Sequence, residues 1–555
     1  MAITVGGFDT SHSARYWRRL TAADALRVLT VAAPMLIFLA HSSLFWGWIV
    51  DDAGISFAYA RSLVRGDGLV SQPGFEAVEG YSNPLWVLLQ APFMLTGLFD
   101  AGITPKVLSV GLVAVSFVLL YEAMTLAMPR RREWWSRAAP ALPLLLLSVN
   151  TSFVVWTTSG LENPLFVFEL SLLLYLSMRT VMTRELTLGA AFVVGLVVAA
   201  AALTRPDGVL LALAYPFLVL GLGTPAVERT RHLVAYFAAV ALPMVAFLSF
   251  RFWYFGELYP NTYYAKGGIS LHDLDTKAGD LAHSVVGFGQ VELHLLVVAA
   301  VVVGAFAFRR PAMRVAGVFL ACTAAGVLLL PPDWMRENRF CSLFVVCFYC
   351  VAALELYYAG RRLSRALPTR TTYAGIAATA AIVLLSTGWF VGRSVAFSRE
   401  PTVPMTAVEQ YFGDRFEGYA RLLGVEDPSL LTLDIGGLVY KSDLRVYDLV
   451  GLTDRTIARS VQDDPAVFHD YVLEEIRPTF IHTHGLYAVY AALDHDPRFR
   501  ELYRPICEQI DPWVAEVWRF YWYSGDYVRR DVVLDDATVA RMQQSCQTEL
   551  PYPGN

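Results

Sequence analysis

The chain is 555 residues long, 55% hydrophobic and only 17% charged, with a mean hydropathy of +0.45. A soluble globular chain is about 45–50% apolar and ~25% charged, and the burial of a core cannot absorb that difference at this length. Disorder, a nucleic-acid partner (net charge −5) and a small disulfide scaffold (six cysteines) are argued against in the same way, which leaves an integral membrane protein.

Residues 1–26 show no cleavage-site pattern, so the first apolar stretch is expected to be an uncleaved anchor. Stretches near the roughly 20 apolar residues that a hydrocarbon core requires centre on 27–50, 105–128, 138–156, 161–178, 187–204, 209–223, 232–250, 291–308, 313–331, 340–360 and 372–394. Arginines cluster before the first span and in alternate loops: Arg130–Arg132 and Arg137, Arg179 and Arg184, Arg229 and Arg231, Arg309, Arg310 and Arg314, and Arg361 to Arg370. Placing these in the cytoplasm obeys the positive-inside rule and turns the other loops and the C-terminal domain outward. The apolar segment 83–99 would invert every later loop if it crossed, so it reads as a re-entrant or interfacial helix, and about eleven spans remain.

Polar residues at membrane level are costly and mark function. In the first outward loop Asp51 and Asp52 stand where the chain leaves the bilayer, positioned as a general base or metal ligand; a solvated helix end is the plain alternative. Glu79, Tyr81 and Asn83 follow in the same loop. The other outward loops are 157–164, 203–208, 251–268 and 331–340, and they bring Arg205, Arg251, Lys266, Arg336 and Arg339 to one membrane surface. Guanidinium forks and a lysine charge suit phosphate oxygens. Tyr254, Tyr259, Tyr263, Tyr264 and Trp334 suit stacking on a sugar, or an interfacial belt. Glu122 and Glu169 lie within spans, Glu169 as a paired structural acid or a proton-coupling site.

From about residue 397 short β-rich runs alternate with helical stretches, an acidic α/β domain: from Arg399 onward 26 acidic residues face 15 basic ones. Cys507 and Cys546 are its two cysteines, and an oxidising exterior would let them pair. His482 and His484 form a short His-Thr-His run, too few ligands to argue for a metal.

Asp51 and Asp52, VEGYSNPLW (78–86), SGLENPL (159–165), LTRPDG (203–208), YPNTYYAK (259–266), DWMRENRF (333–340), LDIGGLVY (433–440) and YDLVGLTDR (447–455) together resemble the GT-C superfamily of glycosyltransferases that use polyprenyl-phosphate sugars. Within it they are similar to the actinobacterial arabinofuranosyltransferases of cell-wall arabinan. The match runs over most of the chain; Pro331 and Pro332 before Asp333 depart from the family, which often has a glycine there. The resemblance implies a polytopic α-helical GT-C body over 1–396 and an extracytoplasmic α/β domain over 397–555, in the cytoplasmic membrane.

It also implies transfer of an arabinofuranosyl residue from decaprenyl-phospho-arabinofuranose to a cell-wall polysaccharide acceptor, arabinogalactan or lipoarabinomannan. The base is Asp51 or Asp52, with Asp52 preferred and Asp51 its partner. Arg205, Lys266, Arg336 and Arg339 are expected on the donor phosphate; Glu79, Tyr81, Asn83, Asn261, Asp333 and Trp334 are expected around donor or acceptor sugar. No cofactor is required, though the aspartates could take a divalent cation. The outward topology agrees, because nucleotide sugars are made in the cytoplasm and an outward cleft needs a donor already carried across. Mannosyl or hexosyl transfer from the same lipid class stays open. So does a transporter of lipid-linked glycans, although no internal repeat supports one, and so does a non-catalytic glycan-binding scaffold.

Overall fold

The computed structural model describes residues 22–129, 134–223, 225–267, 274–285, 310–331, 333–366, 369–517, 522–533, 535–544 and 546. Helix α1 (Ala22–Ser42) is followed, after a short 3-10 turn, by a separate helix α2 (Asp51–Arg65). Then come α3 (Pro84–Leu95), α4 (Thr104–Ala127), α5 (Leu142–Val149), α6 (Thr151–Thr157), α7 (Asn163–Thr183) and α8 (Leu188–Thr204). The body closes with α9 (Ala226–Phe255), α10 (Leu274–Val285), α11 (Pro311–Leu329), α12 (Ser342–Ala366) and α13 (Thr369–Arg399). Helices α3, α4, α7 and α11 each carry proline in the first turn, where no amide donor is missed and φ is already set.

Among the described residues six helices are long and apolar enough to cross a membrane: α1, α4, α7, α9, α11 and α12. The stretch expected to span at 138–156 is two helical pieces bent by 70°, which together are long and apolar enough to count as a seventh. The break is chemical: Asn150 ends α5 and its side-chain oxygen accepts the Phe153 amide at 2.9 Å, capping α6. At 187–204 the helix has 17 residues, and 209–223 begins as a 3-10 stretch. Helix α13 overlies 372–394, while 291–308 lies outside the described residues. Helix α3 has 12 residues, about 18 Å, which is short of a hydrocarbon core. Burial separates centre from rim. The apolar window of α12 is 72% buried inside the protein and that of α9 only 11%, so α12 is central and α9 lies at the rim.

The C-terminal region folds around a five-stranded sheet of order β2-β1-β3-β5-β4, made of β1 (Ser429–Thr432), β2 (Arg445–Asp448), β3 (Phe480–Thr483), β4 (Tyr503–Ile510) and β5 (Tyr523–Arg529). Strand β1 runs parallel to β2 and β3; β5 is antiparallel to β3 and β4. Cys507 on the edge strand β4 is bonded to Cys546.

This region is clasped onto one end of the bundle. Asn261 donates to the carbonyls of Gly451, Leu452 and Asp454 at 2.6, 3.2 and 3.1 Å. Gln72 exchanges two bonds with Leu444 and Val446, and Arg61 reaches the carbonyls of Val439 and Tyr440. Ile55, Tyr59 and Tyr81 share one apolar core with Phe412, Leu438 and Val439. Backbones meet where α2 crosses the Gly436–Gly437 turn: a Cβ on Gly54 would stand 2.3 Å from the Gly436 carbonyl oxygen, so only glycine fits.

Candidate active site

The stretch before α2 is held on both sides. Val50 donates to the Ser159 carbonyl, Asp51 donates its amide to Val403, and Met405 donates to Ile49, at 3.0, 2.9 and 2.9 Å. Asp51 and Asp52 therefore form the first turn of a new helix rather than the end of the first span, a place where carboxylates are favoured by the helix dipole. Successive residues on a helix point about 100° apart, so the two acids face different surroundings.

Asp51 is buried, and its two oxygens accept the amides of Gly436 and Gly437 at 2.9 and 2.7 Å. Burial pushes its pKa well above the usual carboxylate value, with Asp434 and Asp52 adding to the rise and the two amides opposing it. Asp52 keeps 24% of its side chain exposed and faces the Arg339 guanidinium at 3.6 Å. Arg339 stands equally far, 3.6 Å, from Asp333. One turn along α2, Ser56 donates to Asn83, which donates to Glu162 at 2.8 Å. Glu162 lies 3.7 Å from Arg205, and Arg205 also binds Asp207 at 2.9 Å. Both guanidinium groups lie 4.7 Å from the ring centre of Phe340, which joins the two halves of the cluster.

Five of the expected residues thus meet here: Asp52, Asn83, Arg205, Asp333 and Arg339. Trp334, 61% exposed, lies in the same loop as Asp333. Others serve elsewhere. Glu79 is buried in a two-pronged ion pair with Arg251, at 2.6 and 3.0 Å, and its pKa is raised by burial against the pull of that arginine. Tyr81 packs edge-on against Tyr59, and Asn261 is spent on the clasp. Arg336 pairs with the exposed Glu400 at 3.3 Å, and Lys266 is exposed. Glu169 accepts from Thr204 at 2.9 Å inside the bundle.

Sequence reasoning missed three participants. Asp207 occupies the second arm of Arg205, and its signal was its place two residues along in the same loop. Lys277 and Asp280 on α10 line a small pocket with Asp333, Asn338 and Phe340, and nothing in their local sequence announces it. The loop carrying Asp333 and Arg339 is bent through two consecutive left-handed residues, Glu337 (φ 64°) and Asn338 (φ 50°). Three elements hold that shape: Trp156 donates to the Glu337 carbonyl at 3.0 Å, Asn338 donates to Asp280 at 3.1 Å, and Arg393 grips the Glu337 carboxylate. Strain of this kind persists only where neighbours over-determine it.

For a divalent cation the candidate donors are Asp52 and Asp333, but Arg339 already stands between them. Among the described residues the one close triplet of His, Cys, Asp or Glu is Cys507, Asp526 and Cys546, whose cysteines are bonded to each other. The His-Thr-His run instead ends a chain of contacts in the sheet domain: Asp526 to His482 at 2.7 Å, His482 to His484 at 2.9 Å, and His484 to Asp434 at 3.3 Å.

Comparison with known proteins fits this architecture. A family model described as a domain of unknown function (DUF8728) matches residues 415–534. No curated protein sequence matches the chain. Among solved structures, the apo oligosaccharyltransferase of Archaeoglobus fulgidus is similar with a TM-score of 0.55 at 13% identity, covering 89% of this chain and 73% of that one. The same organism's oligosaccharyltransferase AglB in complex with an inhibitory peptide and a dolichol-phosphate gives 0.53 at 12%, over 91% and 74%. Its form tethered to an acceptor peptide gives 0.54 at 10%, over 92% and 75%. Likeness at such identities is likeness of fold. The chain is a multi-pass membrane protein with the GT-C architecture, a helical body followed by a C-terminal sheet domain.

Proposed function

We propose that the chain is a membrane glycosyltransferase that moves one sugar from a polyprenyl-phosphate donor to a glycan acceptor at the outer face of the cytoplasmic membrane. The observation that carries this reading is the division of labour in the acid pair: Asp51 is consumed by the clasp, whereas Asp52 offers a partly exposed carboxylate beside a guanidinium. The fold shared with an oligosaccharyltransferase that has been seen with dolichol-phosphate supports a lipid-linked donor.

In the proposed reaction the acceptor hydroxyl oxygen attacks the anomeric carbon and its proton passes to Asp52. The bond from the anomeric carbon to the phosphate oxygen breaks, and its electron pair leaves with the polyprenyl phosphate. Arg339 meets the negative charge that develops there. Arg205 is hydrogen-bonded to Asp207 and paired with Glu162, so its part is to hold Glu162 and Asn83 in place, whereas Arg339 stands 3.6 Å from both of its carboxylates; Arg336, paired with one exposed acid, is a further cation that a phosphate could recruit. Trp334 offers an open ring face to a sugar. Arabinofuranosyl transfer to cell-wall arabinan is the finer reading and rests on the family resemblance.

The test is transfer by the purified protein in nanodiscs from decaprenyl-phospho-arabinofuranose to a synthetic arabinan, with polyprenyl-phospho-mannose and polyprenyl-phospho-glucose in parallel. Product with the first donor that disappears in Asp52→Asn supports both readings. Product only with a hexose donor removes the arabinan reading, and no product with any donor removes the transferase.

A further inference from the structure

Lys106, near the start of α4, is completely buried, and its hydrogen-bond partners among the described residues are main-chain carbonyls. Its ammonium donates to Phe45 at 2.8 Å, Trp48 at 2.7 Å and Thr158 at 3.0 Å. Three donors meet three acceptors, which satisfies the group in full. A charge without a carboxylate partner is expensive to bury, so the carbonyls must be well aimed to keep it there. Their positions in the chain carry the argument. Phe45 and Trp48 lie in the stretch that leads from α1 to Asp52; Thr158 lies in the stretch that leads to Glu162. Trp48 precedes Asp52 by four residues, and Thr158 precedes Glu162 by four. Between the lysine and the acids the two stretches also touch directly, through the Val50 amide on Ser159, and Trp86 pins the second one at Gly160.

We propose that Lys106 is a positioning residue for the transfer site, an ammonium rivet that fixes the Asp52 stretch against the Glu162 stretch. This rests on the transferase reading above. No uncharged side chain offers three donors from one atom, so the rivet cannot be replaced by a neutral residue without freeing at least one stretch. Displacing reacting groups by about 1 Å costs on the order of 100-fold in rate while leaving binding determinants intact.

The experiment compares wild type with Lys106→Met, which keeps the length of the chain and no donors, and Lys106→Gln, which keeps two. Each is purified in nanodiscs, the folded fraction is measured, and kcat and KM are determined with the donor that wild type uses. Amide exchange is followed in 45–52 and 157–163. The expected result is a roughly 100-fold lower kcat per folded molecule in Lys106→Met, with donor KM within threefold, and an intermediate value in Lys106→Gln. Exchange should rise in both stretches but not along the rest of α4. An unchanged kcat per folded molecule overturns the proposal and leaves Lys106 a cap, as does unchanged exchange. If wild type transfers no sugar from any donor, the transferase reading fails by itself; exchange then decides the rivet alone, faster in both stretches for it and unchanged against it.

Discussion

Asp52 and Asp51 differ by one residue and by everything around them, so their substitutions should separate. Asp52→Asn removes the proposed base and touches only one ion pair, at 3.6 Å. It is expected to lower kcat by about 10²–10⁴-fold with the melting temperature unmoved, read by transfer assay and thermal unfolding of the same sample. Asp51→Ala strips the acceptors from both the Gly436 and Gly437 amides. The loss leaves two buried amide donors without acceptors, at about 1–3 kcal/mol each, so this variant should melt markedly earlier. That the two acids stand together just beyond the first apolar helix was legible from their adjacency in the sequence. Their separate fates were not, because the amides that claim Asp51 lie 385 and 386 residues away. Lys106 was illegible for a related reason: a lone lysine at the start of a span looks like any other loop charge, and only the folded path brings three carbonyls to it.

Among the elements, the bent loop 333–341 and the sheet make the sharpest claims. Glu337 and Asn338 both occupy left-handed backbone, which costs a non-glycine residue on the order of 1 kcal/mol. Asn338→Gly relieves part of that cost but also deletes the bond to Asp280. It should leave stability nearly unchanged while lowering kcat, because Arg339 is the next residue; an equal kcat would show that the shape of the loop does not matter. In the sheet, burial pulls the His482 pKa from its ordinary 6.5 down to about 4, with Asp526 pulling the other way. The unfolded chain therefore binds a proton between those values that the folded chain refuses, and stability falls as pH drops through that window. The effect is on the order of 3 kcal/mol at full extent. Urea unfolding at pH 7 and pH 4.5 measures it, and His482→Gln should flatten the difference. Legibility at this scale followed periodicity. Most spans could be read from apolar length, whereas the break at Asn150 could not, since a single asparagine in an apolar run becomes a cap only when a turn forms around it.

At the scale of the whole molecule, body and sheet domain are joined through a shared apolar core and a close backbone crossing. The close crossing of Gly54 and Gly436 leaves no room for a methyl: a Cβ on Gly436 would lie 1.8 Å from the Asp51 carbonyl oxygen. Gly436→Ala is therefore expected to unseat the domain by forcing the Gly436–Gly437 turn off Asp51, while Asp52, Asp333 and Arg339 keep their own side chains. Limited proteolysis near 400–405 should become faster, and transfer should fall together with it. The acidic C-terminal domain was legible as a separate composition. That it braces the acid pair rather than merely covering it was not, because the bracing is done by main-chain amides that any sequence possesses.

The clasp also sets an order of events during synthesis. Asp51 leaves the ribosome 385 residues ahead of the amides that fasten it, and the later spanning helices are made in the interval. Until the last of them is inserted and β1 and β2 have folded, the first turn of α2 has nothing to hold its buried carboxylate. A partly made chain thus carries every charged residue of the cluster up to the point of elongation and still lacks the frame that orients them. On the transferase reading proposed above, competence to act arrives late and all at once, so a truncated product lingering in the membrane is expected to be inert.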